Sequence, residues 1–488
     1  MSLKKQLFIN TFFNGLSSIY LAIIQFISIP ILIHSLGKEV FGIIAMINVF
    51  SLLGYISILD LGIPATIQRF TGYYLLNKQF DSLYRLLSAA ITKLFIASLF
   101  AGLLIVISRR MIVYDFFGLN NETGSVVMYL LIFQAFINLF NFGNLFLKNA
   151  LESLSCFKYV SFLALLIESL KISCILYAAH NNQLNLSFVI YLYGILSIIT
   201  FFLFLLKFIK IMPGFSYKPS ILKFSSDELH FSNSALIGKV SSVVYNQSDK
   251  IFITYFLGAS SMAMYEVLSK IPALFSKVIG LSAYAIVPSI SSSSVDSVKA
   301  SKIFNSGLEY MIKLILPVLV FFICYRDTLL EIWVGPEFTS VSNLLALMLL
   351  WSCLTIFTFG GNILLGLNKR LKEINRFRVI QAIIKVAVLF SMIGVSGLYA
   401  VPISFLVSML AILYLWRIFH EEFEVGYRKL LGLIVSVILA SCTISLTYYM
   451  SHELSEIFRL ALGLFHLGII IILLWHKKLR SIVNELKP

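Results

Sequence analysis

Charge is what this sequence has least of. Only 12% of its 488 residues are Asp, Glu, Lys or Arg, against about 25% in a soluble protein. That shortage excludes a water-exposed globular chain of this size. With 59% hydrophobic residues, 43 Phe and a mean hydropathy of +0.93, the chain belongs in a bilayer. Cysteine is scarce too: Cys156, Cys174, Cys324, Cys353 and Cys442 stand singly in or beside apolar runs, with no C-x-x-C and no histidine cluster. Neither a disulfide framework nor a metal site is indicated. No Gly-rich phosphate loop ending in Lys-Ser/Thr occurs, which argues against ATP hydrolysis by this chain, and no cofactor is implied.

The net charge of +15 would suggest nucleic acid for a soluble protein. In a membrane protein Lys and Arg collect in cytoplasmic loops, so no nucleic-acid partner is expected. The stretch MSLKKQLFINTFF runs into an apolar segment too long for a signal-peptide core and lacking a small-residue cleavage site. It reads as the first, uncleaved span.

A spanning helix needs roughly 20 mostly apolar residues. Fourteen candidates follow, at about 8–33, 40–64, 86–107, 125–147, 160–180, 187–206, 230–257, 262–288, 308–325, 341–364, 379–396, 398–416, 427–450 and 457–475. The expected fold class is all-α integral membrane, with polar seventh and eighth spans and a split at GVSG (394–397). With the N-terminus in the cytoplasm, 25 of the 38 basic residues fall in cytoplasmic segments, five (Lys38, Arg109, Arg110, Arg326, Arg459) in opposite loops, and eight lysines inside spans. That bias places both termini inside. The far-side loops have no room for a folded domain, and the triplets NET (121–123), NLS (185–187) and NQS (246–248) are chance matches to the glycosylation pattern.

Two connections repeat at an offset of 221: HSLGKEVFG at 34–42 and YFLGASSMA at 255–263. Each sets Leu-Gly at the far end of a span and a small residue, Gly42 or Ala263, five positions after that Gly. Both units enter from the cytoplasm, so the repeat is parallel. It predicts six-helix lobes at 1–206 and 230–416 around a central cavity, a cytoplasmic linker at 207–229, and two extra helices with a tail at 417–488.

Lysines at mid-membrane cost about 2.5–3.5 kcal/mol each and face the bundle interior or water. The eight are Lys93, Lys171, Lys239, Lys250, Lys270, Lys277, Lys313 and Lys385; Lys93 and Lys385 lie where a lysine can snorkel to the interface. Glu168–Lys171, Glu266–Lys270 and Glu309–Lys313 are spaced to share one helix face. YNQSDK (245–250) adds Asn246, Gln247, Ser248 and Asp249, and Lys239 lies eleven residues before Lys250, on the same stripe. Once each carboxylate is credited with one lysine, Lys239 and Lys277 remain unmatched. The expected cavity is therefore cationic and attracts an anion, with Lys171, Lys239, Lys250, Lys270, Lys277 and Lys313 as its ligands. Glu168, Asp249, Glu266 and Glu309 are candidates for ion coupling.

GYISILDLGIPATIQRF (54–70) places Asp60 about one turn from the cytoplasmic face, ahead of Gly62 and Pro64 and nine residues before Arg69. Two readings stand. Asp60 pairs with Arg69 or accepts backbone N–H groups freed where the helix breaks, or Asp60 and Arg69 form a gate.

Leu36, Gly37, Phe41, Gly42, Asp60, Leu61, Gly62 and Arg69 resemble the second-helix signature of O-antigen and polysaccharide-exporter flippases. YAIVPSIS (284–291) resembles the end of their eighth helix. These flippases share a superfamily with multidrug extruders and lipid II flippases. The resemblance implies alternating access, with no enzymatic chemistry and with ion coupling. The cargo it implies is an O-antigen repeat unit on undecaprenyl diphosphate, moved from the cytoplasmic to the periplasmic leaflet of the bacterial inner membrane. It also implies contact with the polysaccharide polymerase and chain-length machinery. Asn246, Gln247 and Ser248 would then meet sugar hydroxyls, and the cationic stripe suits the diphosphate. Two alternatives are a drug extruder, for which an acidic cavity is expected, and a membrane polymerase, which needs a large external loop. The two C-terminal helices depart from the family's usual twelve.

Overall fold

The computed structural model describes residues 3–52, 54–217, 224–291, 297–366, 370–424, 427–451 and 453–485. Side chains are described for these except residues 3–19, 281–291, 297, 299–300, 365–366, 427, 429 and 476–485. The side chains of YAIVPSIS and part of the 207–229 linker thus lie outside the described residues. Every regular element among the described residues is helical, as so apolar a chain requires. In hydrocarbon each backbone N–H and C=O needs an internal partner, and a helix supplies them within one segment.

Packing divides the chain into Met1–Glu266 and Val267–Pro488. The first unit holds α1 (Leu3–Leu36), α2 (Lys38–Val49), α3 (Ile63–Leu76), α4 (Phe80–Arg110), α5 (Asn121–Ser153), α6 (Phe157–His180), α7 (Leu186–Ile211) and α8 (Ser226–Ser291) as far as Glu266. The second holds the rest of α8, then α9 (Ser297–Cys324), α10 (Arg326–Val334), α11 (Ser342–Thr355), α12 (Phe359–Gly366) and α13 (Leu371–Ser396). It continues through α14 (Ala400–Ser408), α15 (Ile412–Phe423), α16 (Tyr427–Met450) and α17 (Glu456–Glu485).

Ten described stretches are long and apolar enough to cross a membrane. Two of them, Ser226–Gly280 and Leu371–Phe423, run to 55 and 53 residues, about 80 Å as straight helices against a hydrocarbon core of about 30 Å. Each contains a glycine with positive φ, Gly258 (φ 76°) and Gly397 (φ 56°), and α13 packs on α14 across the second. The GVSG split is therefore a real turn. With α1 and the α2–α3 segment, these lengths leave room for the fourteen crossings expected from the sequence.

The repeated Leu-Gly connections share a backbone conformation: Gly37 has φ 80°, ψ 161° and Gly258 φ 76°, ψ −172°. Only glycine enters that region freely, so the repeat in the letters is a repeat in geometry. Lys250 and Glu266 sit eight residues on either side of Gly258 and pair at 3.1 Å. In a straight helix they would be about 24 Å apart, so α8 doubles back at Gly258.

The second candidate span is where the structure departs most from expectation. Residues 40–64 do not form one helix: α2 stops at Val49, a 3₁₀ turn covers Tyr55–Asp60, and α3 starts at Ile63 after Leu61 (φ 53°) and Gly62 (φ 71°). The freed carbonyls find side chains from other helices. Asn138 of α5 donates to Phe50 O at 3.2 Å, and Ser232 of α8 donates to Leu61 O at 2.8 Å. Breaks at membrane depth are tolerated on these terms.

In the second unit the two extra helices are packed, not appended. Ile444 of α16 and Leu467 and Ile470 of α17 close on Phe321 of α9 and on Tyr325, between α9 and α10. Tyr325 is fully buried, and its ring lies where a side chain on Gly463 would be. Thr328 donates to Glu456, which also takes Arg459 at 2.9 Å.

Candidate translocation path

Glu228, Lys239 and Lys250 recur at eleven-residue intervals along α8. Eleven residues make about three turns and rise about 16 Å, so the three share a face and span about 33 Å, the thickness of a hydrocarbon core. Each finds an opposite charge within the first unit.

At the start of α8, Glu228 is fully buried and takes Arg85 of α4 at 3.0 Å and the Tyr74 hydroxyl of α3 at 2.5 Å. It also accepts from Ser225 N at 2.6 Å while Ser225 Oγ accepts from Glu228 N at 3.3 Å, a reciprocal cap that satisfies donors the helix start leaves open. Glu228 lies inside the stretch read as a linker, and the S-x-x-E spacing is the signal that would have singled it out. Glu228→Gln keeps the Tyr74 bond but loses the charge opposite Arg85. We expect a loss of about 1–3 kcal/mol, read as a lower unfolding temperature of the purified protein.

Three turns on, Lys239 reaches Asp60 at 3.3 Å. The carboxylate is 6% exposed and the lysine side chain 38%. Asp60 also accepts from Gly62 N at 2.9 Å, so one expected role, receiving an N–H freed by the break, is what the geometry shows. The expected Asp60–Arg69 pairing gives way to Asp60–Lys239. The Leu61–Gly62 turn folds the carboxylate back on its own chain, while Arg69, two turns up α3, lies over the Phe231 ring of α8 at 4.4 Å. Lys239 is consequently matched, contrary to the count made along the sequence, because its partner comes from another element.

Lys250 pairs with Glu266 across the α8 hairpin, a partnership that in-helix spacing does not reveal. Between these levels Asn246 is exposed, with its amide on Ser242 O at 2.8 Å. Gln247 is half-buried, while Ser248 and Asp249 are closed off at 2% and 0% exposure. At the hairpin end, Gly42 of α2 lies so close to α8 that a Cβ would stand 1.9 Å from Ala259 O. The α2–α3 segment thus meets α8 both near its start and just past the Gly258 fold.

Elsewhere in this unit, Glu168 and Lys171 pair at 2.6 Å, as spacing predicted. Glu168 opens on a cavity of about 450 Å³ shared with Lys148, Glu152 and Thr200. Lys93 sets its ammonium 3.5 Å from the centre of the Phe224 ring.

In the second unit Glu309 and Lys313 pair at 2.7 Å on α9. Lys270 and Lys277 lie two turns apart on α8, and Lys277 is exposed with no ion pair among the described residues. Lys385 does not snorkel: it is fully buried, its ammonium 3.7 Å from the centre of the Phe405 ring.

Glycine-folded hairpins of apolar helices, and one helix carrying paired charges through the depth of a bilayer, define a multi-pass membrane protein. The chain belongs to the polysaccharide biosynthesis protein family, whose model matches residues 7–294. Its fold is similar to those of solved membrane proteins. A structure of the lipid II flippase MurJ in an inward closed conformation superposes with a TM-score of 0.66 at 15% identity, covering 91% of this chain and 98% of that one. An inward-facing MATE family multidrug resistance transporter of the MOP superfamily gives 0.58 at 16% identity, covering 81% and 97%. The MATE multidrug transporter DinF-BH gives 0.56 at 13%, covering 87% and 98%. No curated protein matches the sequence.

Proposed function

We propose that the protein is a flippase for a polyprenyl-diphosphate-linked oligosaccharide. In this reading an O-antigen repeat unit on undecaprenyl diphosphate moves from the cytoplasmic to the periplasmic leaflet of the bacterial inner membrane. The loop charges support cytoplasmic termini. Family membership supports a polysaccharide cargo, and the likeness in fold to a structure described as a lipid II flippase supports a lipid-linked one.

The observation that carries the proposal is the Asp60–Lys239 pair. Its carboxylate is buried and held by Gly62 N–H, while the lysine side chain is exposed by more than a third. A diphosphate entering at this level competes with Asp60 for Lys239. It gains a cation that insertion into hydrocarbon could otherwise not support, and it breaks a link between the α2–α3 segment and α8. Substrate binding and release of the helix contact become one event. Asn246, exposed on the same arm, is placed for a sugar hydroxyl; Ser248 needs the arm to move before it can contribute. Glu168, beside its cavity, and Asp249, Glu266 and Glu309 are the carboxylates on which ion coupling would draw. Lys171, Lys250 and Lys313 serve such a path only when their carboxylate contacts open, and Lys270 lies two turns before Lys277 on α8. Lys277 needs no such release.

The direct test is reconstitution in liposomes with undecaprenyl-diphosphate glycans, measuring headgroup access to an external glycosidase. Headgroups that cross no faster than in empty liposomes, with and without an imposed pH gradient, would reject the reading. Lys277→Ala should lower the initial rate at least about tenfold, the loss of one charge-assisted phosphate contact. An unchanged rate would remove Lys277 from the path.

A further inference from the structure

Arg109 and Arg110 have no part in the translocation path. They are the adjacent basic pair among the five far-side loop charges. The α4 span, continued by a π-helical turn over Met111–Phe116, runs 37 residues from Phe80 to Phe116, about 55 Å. Arg85 and Arg109 are about 36 Å apart along it, so the two ends reach opposite headgroup layers of a bilayer whose hydrocarbon core is about 30 Å thick.

Between the end of α4 and the start of α5 lies a cavity of about 1080 Å³, ample beside the roughly 300–1,000 Å³ that small-molecule sites occupy. Its polar side has Arg109, Arg110, Tyr114, Asp115 and Asn121. Neither arginine forms a salt bridge among the described residues. Arg109 donates to Val106 O, capping the end of its own helix, which leaves the exposed Arg110 guanidinium as the group free to take a ligand. The N-terminus of α5, capped by Asn120, adds its positive dipole end. Asp115, exposed on the π turn, offsets one of the two positive charges and leaves the lining at a net +1.

The other wall is apolar and uncovered: Ile107 is 70% exposed, Met111 59% and Tyr129 71%. A guanidinium beside an open hydrocarbon-facing wall, at headgroup depth, suits a molecule with a phosphate at one end and an alkyl chain at the other. A helix C-terminus favours any basic residue. That accounts for Arg109, not for the cavity or for Arg110.

We propose that this end of the α4–α5 hairpin is a binding site for the phosphate of a membrane lipid, with the phosphate on Arg110 and the chain along Ile107, Met111 and Tyr129. The site is separate from the Asp60–Lys239 path and does not depend on it. The test is photocrosslinking of the purified full chain with phosphatidylglycerol bearing a diazirine in its acyl chain, followed by peptide mapping. Label should fall on peptides containing Ile107–Met111 or Tyr129. Arg110→Gln should lower that local yield at least about tenfold at subsaturating lipid, and Arg110→Lys should restore part of it.

Unlabelled phosphatidylglycerol should compete and diacylglycerol should not. Undecaprenyl diphosphate competing at lower concentration would identify the prenyl-linked lipid as occupant, and the reverse order would identify bulk anionic lipid. Wild-type label elsewhere, equal yield in Arg110→Gln, or competition by diacylglycerol would each overturn the proposal. The wild-type map holds as a test even if the variant fails to fold.

Discussion

Lys239→Ala is expected to abolish complementation in a flippase-null strain while the protein still accumulates in the membrane. The lysine is the cation opposite a carboxylate that is only 6% exposed. On the proposed reading its removal takes away a phosphate ligand, worth about 1.5–3 kcal/mol or roughly 10–150-fold in rate. It also leaves Asp60 with Gly62 N–H alone. The charge-reversed double variant Asp60→Lys/Lys239→Asp separates the two effects. It should recover the unfolding temperature lost in Lys239→Ala, because the pair is restored. It should not recover transport, because the exposed position now carries a negative charge toward a diphosphate. Transport by Lys239→Ala at the wild-type rate would mean that the pair only holds helices together.

Gly42→Val should be the more damaging change. A Cβ at this position would stand 1.9 Å from Ala259 O and 2.6 Å from its carbonyl carbon, and backbone atoms cannot swing aside as a side-chain tip can. Either α2 and α8 separate at the hairpin end or the protein does not fold into this conformation. The expected result is loss of transport with raised reactivity of a cysteine placed at Ala259 toward an impermeant thiol reagent. Gly42→Ala, with the same Cβ, should show the same opening. A Gly42→Val protein that transports normally, with Ala259 as protected as in the wild type, would remove the close contact from the account of how this end is shut.

Much of the fold was legible because a bilayer leaves few options. Apolar length alone located most of the spans, and the Leu-Gly repeat at 34–42 and 255–263 recurs as a glycine with positive φ in each. In-helix pairs were equally legible, since Glu168–Lys171 and Glu309–Lys313 need only a helix to meet.

What stayed hidden were partnerships across elements. Lys239 looked unmatched because Asp60 is 179 positions away in the chain. Glu266 looked committed to Lys270 because nothing in its own helix shows that Gly258 folds Lys250 back beside it. Glu228 was passed over because it falls in the 207–229 stretch read as a linker, while Arg85 and Tyr74 reach it from other helices.

The sequence by itself determined that this chain is a bundle of membrane helices, where most of them start and stop, and that charges lie inside them. Those properties follow from transfer free energies and local backbone preference, which each segment carries alone. Only the tertiary structure decided which charges neutralise one another, that the 40–64 run breaks into three pieces, and that Lys239 keeps a partly exposed side chain over a buried carboxylate. Those depend on which helices come to lie side by side, and a charge in hydrocarbon takes whichever partner packing brings within about 3 Å.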